Sequence, residues 1–168
     1  DALLVERGLV ESREKARALI LAGKVTVPGQ QTVKAGLMVA SDVDLQVAEP
    51  EHPWVSRGGI KLAHALESFA IDVSGRLAVD IGASTGGFTD VLLQRGARKV
   101  VAVDVGRGQL HPKLKFDSRV TSLESTDARD LTPALIGEPP ALVVCDASFI
   151  GLAKVLGRAL DLAAPEAV

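Results

Sequence analysis

The chain has 168 residues, 47% of them hydrophobic and 24% charged, enough apolar material for a packed core and far from a disordered composition. A net charge of −2 gives no global sign of a polyanionic partner, so any contact with nucleic acid must be local. There is no run of about 18 uncharged apolar residues to form a helical membrane span. The single cysteine, Cys145, excludes an internal disulfide and a cysteine-based metal site, and fits a reducing, cytoplasmic setting with no metal.

In chain order, Ala2 to Arg7 reads as a short helix stopped by Gly8. Ser12 is an N-cap for a second helix running to about Ala22, with Gly23 as its stop and Ala16, Leu19 and Ile20 as its buried stripe. Val25 and Val27, and later Val43, Leu45 and Val47, alternate with polar neighbours and read as short strands, with a turn at Pro28-Gly29. From Arg7 to Lys34 six basic residues face only Glu11 and Glu14. Arg7, Arg13, Lys15, Arg17 and Lys24 are candidates for phosphate contacts, the alternative being a solvated charged face.

Two prolines and two acids in Glu49-Pro50-Glu51-His52-Pro53 break both helix and strand. The expected organisation is a small α+β domain over 1–48, a linker over 49–55 and an α/β domain over 56–168.

Beyond the linker, Gly59 to Phe69 reads as a helix with Leu62, Ala65, Leu66 and Phe69 on one face. Strands are expected at Leu77–Ile81, Val100–Val103, Val120–Leu123 and Leu142–Cys145, with a helix through Val91–Leu93 and another from Leu152 to Ala163. Short continuous apolar strands separated by helices predict a parallel, doubly wound sheet buried on both faces. About four strands precede Ala164-Pro165 where such a sheet has about five to seven, so the expectation is the first half of the sheet of a longer protein.

The turn Asp80-Ile81-Gly82-Ala83-Ser84-Thr85-Gly86-Gly87 joins the first of these strands to a helix. Its spacing differs from the dinucleotide fingerprint and from a phosphate-binding P-loop, and D-x-G-x-x-x-G-G resembles the first motif of S-adenosylmethionine-dependent methyltransferases. Asp80, Gly82, Ser84 and Gly86 are therefore candidate cofactor residues, the glycines letting backbone approach a ligand. Asp104 ends the next strand 22 residues after Gly82, where a doubly wound fold places an acid against ribose hydroxyls. Asp127 follows the third strand and is a candidate for the adenine edge. Asp146 closes the fourth strand, beside the crevice where such sheets bind ligands. Lys61 adjoins the apolar stripe of its helix, so its stem can lie on protein while its amine faces a cleft; a plain surface lysine is the alternative.

Leu9 to Arg17 with Ile20 to Val27 resembles the alpha-L RNA-binding domain. Ser56-Arg57-Gly58-Gly59-Ile60-Lys61-Leu62, the glycine turn and Cys145-Asp146-Ala147-Ser148-Phe149-Ile150 resemble the TlyA family, known as hemolysin A or ribosomal RNA 2′-O-methyltransferase, with an FtsJ-like, Rossmann-like domain. The resemblance implies methyl transfer from S-adenosylmethionine to a ribose 2′-hydroxyl of ribosomal RNA or of a ribosomal subunit. It implies a Lys-Asp-Lys-Glu constellation in which Lys61 and Asp146 match the first two members. The second lysine and the glutamate are expected beyond Val168, which would leave this stretch inactive alone. A non-catalytic ribosome-binding protein with the same fold is the principal alternative. A nicotinamide oxidoreductase is opposed by the glycine spacing. A membrane-active toxin finds no cationic amphipathic helix or apolar span to support it.

Overall fold

The computed structural model describes residues 1–48, 52–147 and 151–168. Glu49, Pro50 and Glu51 of the expected linker, and Ser148, Phe149 and Ile150 of the second motif, lie outside the described residues. The chain divides into two compact units, Asp1–Glu51 and His52–Val168.

In the first unit, α1 (Ala2–Glu6) and α2 (Arg13–Leu21) pack through Leu4, Val10, Ala16 and Ile20, with Val25 closing the core. Ser12 caps α2 as expected, its Oγ accepting the Lys15 N–H at 3.2 Å. Strand β1 (Val25–Thr26) pairs antiparallel with β2 (Gln46–Val47). The expected run from Val43 is shorter in the structure for a local reason. The Pro28-Gly29 turn, closed by Gln30 N–H to Val27 O at 3.0 Å, ends β1 after Thr26 and leaves residues 43–45 nothing to pair with.

The second unit opens with α3 (Gly58–Ser68) and continues through β3 (Leu77–Ile81), α4 (Gly87–Gln94), β4 (Lys99–Val103), a one-turn α5 (Pro112–Lys115) and β5 (Val120–Leu123). A 3-10 turn (Ala128–Asp130), a one-turn α6 (Pro133–Ile136), β6 (Leu142–Cys145) and α7 (Leu152–Asp161) complete it. The four strands form one parallel sheet in the order β5-β4-β3-β6. Every residue of β3 is buried, because it is central and covered on both sides.

Strand periodicity sorts the side chains between two cores. Ala78 faces Leu62, Leu66, Val91 and Leu92 of α3 and α4. Leu77, Val79 and Ile81 face Leu131, Ile136, Val155 and Ala159 on the other side. Asp80 shares the face of Ala78, under α4. The chain order reverses between β3 and its two neighbours, which opens a crevice at the carboxyl ends of β3 and β6.

Phe69 departs from the expected apolar stripe of α3: it is 75% exposed. The helix stops one residue earlier, and Ala70 adopts a left-handed φ of +51°. The N–H of Ile71 then returns to Leu66 O at 2.9 Å and that of Ala70 to Glu67 O at 3.2 Å, a Schellman closure that tucks Ile71, not Phe69, against the core. Helices α1, α2 and α4 close the same way with Gly8, Gly23 and Gly96 in that position. At Ala70 a Cβ sits where the backbone disfavours one. The variant Ala70→Gly should therefore gain about 0.5–1 kcal/mol of unfolding free energy in urea titration; an unchanged or lower value would contradict this origin.

Candidate active site

The glycine turn after β3 is held by backbone. The N–H groups of Gly82 and Ala83 both donate to Val103 O of β4, at 2.9 and 3.1 Å. Gly82 (φ +78°) and Gly86 (φ +95°) take conformations open to glycine. At Gly86 protein fills the space a side chain would need, since a Cβ there would overlap Leu114 and Leu110, whereas at Gly82 a Cβ would only touch Ala147 Cα at 3.4 Å and the backbone conformation is what calls for glycine. Between them Ser84 is also left-handed (φ +47°), and its N–H donates to Asp104 Oδ2 at 2.7 Å. Asp104 Oδ1 accepts the Gly106 N–H, also at 2.7 Å. Both oxygens are thus fixed by backbone, and each keeps lone pairs for a further donor.

Lys61 and Asp146 come together across 85 residues of sequence. Lys61 Nζ donates to both carboxylate oxygens, at 3.1 and 2.9 Å. Asp146 stands just past β6, its N–H held by Ile81 O at 3.2 Å. Lys61 is set by the first turns of α3, which approach α4 backbone to backbone. A Cβ on Gly87 would lie 2.9 Å from Gly59 N and 3.4 Å from Gly58 C. A buried carboxylate fixes the entry to α3: Asp90 accepts the Val55 N–H at 2.9 Å, with Gln94 and Lys113 on its other oxygen. Lys61 and Asp146 are 67% and 43% exposed at their side chains, so the pair contributes little to stability and its importance is positional.

Two clefts meet at Asp146. One, of about 430 Å³, is lined by Ser84, Asp104, Gln109, Asp127 and Asp146 among apolar walls that include Val103 and Val155. The other, of about 560 Å³, is lined by Arg57, Lys61, Thr85, Phe88 and Asp146. Gly82, Ser84 and Asp146 belong to both, forming the wall between them. Among the described residues the first cleft is lined by three acids and no lysine or arginine, which suits hydroxyl and cationic groups and is ill suited to a pyrophosphate.

Asp127 caps the 3-10 turn and accepts from Arg129 three times. Its Oδ1 takes the Arg129 N–H and Nε at 2.9 and 3.0 Å, and its Oδ2 takes a terminal nitrogen at 2.6 Å. These bonds hold its carboxyl down at about 2.

Asp80 lines neither cleft. It is 1% exposed, one oxygen accepting the Thr89 hydroxyl at 2.7 Å and the other without a partner among the described residues. Burial pushes its carboxyl up to about 6 against the lowering effect of Thr89, with Asp104 and Asp146 adding to the rise.

In the first unit Arg13 and Arg17 converge on Asp1, at 3.1 and 2.7 Å. Lys15 pairs with Glu11 at 3.2 Å, and Lys24 is half-buried before β1. Arg7 folds back onto the carbonyls of Val43 and Ser41, so it braces a loop.

Several residues the sequence reading passed over belong to this architecture. Arg57 and Gln109 line clefts, Thr89 satisfies Asp80, Arg129 grips Asp127, and Asp90 anchors the start of α3. An acid in the first turn of a helix and a D-x-R triplet were the available signals. Among the described residues no group of three or more His, Cys, Asp or Glu is placed to hold a metal, and no helix is long and apolar enough to cross a membrane.

A parallel sheet with this strand order, a glycine turn at the crevice and a charged pair between two clefts define an α/β fold of the methyltransferase class. Residues 54–166 match the FtsJ-like methyltransferase model and residues 1–41 the S4 domain. The chain is 54% identical over 168 residues, 99% of its length, to the 16S/23S rRNA (cytidine-2′-O)-methyltransferase TlyA of Mycobacterium tuberculosis. It is 42% identical over 156 residues, 92% of its length, to hemolysin A of Brachyspira hyodysenteriae. It spans 63% and 65% of those two proteins. The solved structure of a protein described as a hemolysin, from Streptococcus thermophilus, superposes with a TM-score of 0.69 at 39% identity, covering 97% of this chain and 60% of that one. The chain belongs to the TlyA family, an S4 domain followed by an FtsJ-like methyltransferase domain.

Asp80 gives the site a pH signature. Its carboxyl titrates higher in the folded than in the unfolded chain, so between the ordinary 3.8 and about 6 the folded state holds a proton the unfolded state has lost. Stability from this group is therefore present below about pH 4 and lost as pH rises to about 6. At about 1.4 kcal/mol per tenfold in proton affinity the loss is about 3 kcal/mol. Urea titrations from pH 4 to 7 should show Asp80→Asn gaining on the wild type by that amount across this window and no further above it. A pH-independent difference would contradict the assignment.

Proposed function

We propose that this chain carries the cofactor-binding half and part of the catalytic group of a cytoplasmic enzyme that methylates a ribose 2′-hydroxyl of ribosomal RNA, using S-adenosylmethionine. The observation that carries the reading is Asp146, on the wall shared by the two clefts, with both its oxygens on the Lys61 amine in the second of them. A transferase needs donor and acceptor sites that open on the same few atoms, and here they share Gly82, Ser84 and Asp146.

The acid-lined cleft fits the cofactor. Asp104 would accept from ribose hydroxyls with its remaining lone pairs, Asp127 would accept from an amino group on the adenine, and Ser84 and Gly82 would form the wall. When bound, S-adenosylmethionine supplies an electrophilic methyl group. Asp80, under the turn, would support Gly82 through Thr89 and α4 without touching the cofactor.

In the other cleft Lys61, Arg57 and Asp146 are the residues that carry charge. A guanidinium does not give up a proton, so proton handling there falls to Lys61 and Asp146. Asp146 takes two of the three N–H donors of Lys61, and the third would hold the acceptor oxygen in place. Because Lys61 with three N–H donors has no lone pair, the Asp146 carboxylate would accept the proton the hydroxyl loses as its oxygen takes the methyl carbon from sulfur, the neutral thioether leaving.

The S4 unit would deliver the RNA. Arg13 and Arg17 lie on one helix face, 60% exposed at their side chains, and each keeps N–H donors beyond those given to Asp1. Arg13→Ala with Arg17→Ala in the full-length enzyme should weaken RNA binding and flatten its salt dependence while leaving cofactor affinity unchanged. Unaltered RNA affinity at low salt would reduce this helix to a solvated face.

Single-turnover methyl transfer to ribosomal RNA by the full-length enzyme tests the charged pair. Lys61→Ala should slow the reaction by about a hundredfold or more, with folding and cofactor affinity intact. Lys61→Arg should not rescue it, because a planar guanidinium cannot stand in for a compact ammonium. A Lys61→Ala rate within about threefold of wild type would remove Lys61 from the mechanism.

A further inference from the structure

A D-x-R triplet occurs twice in this chain with nearly the same geometry. In Asp117-Ser118-Arg119 the carboxylate accepts the Arg119 N–H at 2.9 Å, Nε at 3.0 Å and a terminal nitrogen at 2.7 Å. In Asp127-Ala128-Arg129 the three distances are 2.9, 3.0 and 2.6 Å. In both, the arginine draws the carboxyl below its ordinary range, chiefly through the side-chain hydrogen bonds. The surroundings differ. Asp117 lies outside the cofactor cleft, in the turn before β5, and Arg119 also reaches Leu93 O at 3.4 Å. Asp127 lines the cleft, and Arg129 is absent from the lining.

From this contrast we propose that Arg129 is a positioning residue for recognition of the cofactor's base. Its forked guanidinium locks Asp127 in one rotamer as an ionised acceptor, so that the cleft prefers a purine bearing an amino group over one bearing a carbonyl. The inference rests on the reading of this cleft as the cofactor site. A carboxylate free to rotate would swing toward water and lose its aim, and a carboxyl that picked up a proton could donate to a carbonyl and so accept the wrong base. The fork removes both freedoms: two parallel N–H···O bonds fix the plane of the carboxylate, and the adjacent charge keeps it ionised. A clamped carboxylate has lone pairs for an amino donor and only repulsion for a carbonyl oxygen. Arg129 contributes this without touching the ligand. A point charge at the same position would not substitute for the fork.

The test uses the full-length protein and two ligands that need no turnover: S-adenosylhomocysteine and its 6-oxo counterpart, S-inosylhomocysteine. Calorimetry gives the ratio of their dissociation constants. Wild type should prefer the amino compound by at least about tenfold, the expected value of a hydrogen bond to a charged group. Arg129→Ala should bring the ratio to within about twofold, and Arg129→Lys should stay close to it. Asp127→Ala should lose the preference equally, and adding Arg129→Ala to it should cost nothing more, since the two act as one unit. Arg119→Ala removes the matching fork elsewhere and should leave the ratio at its wild-type value. A wild-type ratio retained in Arg129→Ala, or lost equally in Arg119→Ala, would overturn the proposal while leaving the cofactor reading intact. Failure of the wild type to bind S-adenosylhomocysteine at all would instead overturn the cofactor reading, and the proposal with it.

Discussion

The arrangement of the second unit depends on one close approach, that of the first turn of α3 to the first turn of α4. Gly58 and Gly59 on one side meet Gly87 on the other, and the neighbouring side chains leave no space: a Cβ on Gly59 would lie 2.5 Å from the ring of Trp54. Helices ordinarily pack through side chains, about 8–10 Å apart, and glycine contacts of this kind draw them closer. The consequence is positional. With α3 held this near the turn after β3, Lys61 reaches Asp146 at the end of β6, and a charged pair forms between segments 85 residues apart. Asp90 adds the hydrogen bond to Val55 that fixes how the chain enters α3.

Charge divides the two clefts that this packing creates. Among the described residues, the cleft on the β4 side is lined by Asp104, Asp127 and Asp146 and no basic residue, and the one on the α3 side by Arg57 and Lys61 with Asp146 as its one acid. Such a division favours a cationic, hydroxyl-rich ligand on one side and a polyanion on the other. Asp146 faces both, so the same carboxylate can orient Lys61 and sense a positive charge across the wall. The net charge of −2 conceals this division completely.

Much of the parallel sheet was legible in the sequence. Leu77–Ile81 and Leu142–Cys145 are strands to the residue, because a strand packed on both faces reads as a mostly apolar run bounded by polar turns; the edge strand Val120–Leu123, half-buried with Thr121 and Ser122 inside it, matches its expected bounds without that signal. The one-turn helices at Pro112 and Pro133 are too short to show a period, and Phe69 was misplaced because a helix ending is decided by the backbone of the next two residues. Asp104, Asp127 and Asp146 line the cleft at the carboxyl end of the sheet, where strand ends in this fold point. Asp80 looked the same by spacing, but it is the fourth residue of β3, where the side chain turns under α4. Thr89, Asp90 and Arg129, which carry no sequence signal that marks a site, hydrogen-bond other residues of the chain. Nothing in a single sequence separates such partners from ordinary surface or capping residues.

Mass mapping of 2′-O-methyl groups on ribosomal RNA, from cells with the full-length gene, without it, and with it restored as Asp146→Ala, decides whether the full-length protein modifies a ribose. At least one ribose should be methylated only when the wild-type gene is present, and unmethylated with Asp146→Ala. Identical methylation maps in all three strains would contradict the proposed function.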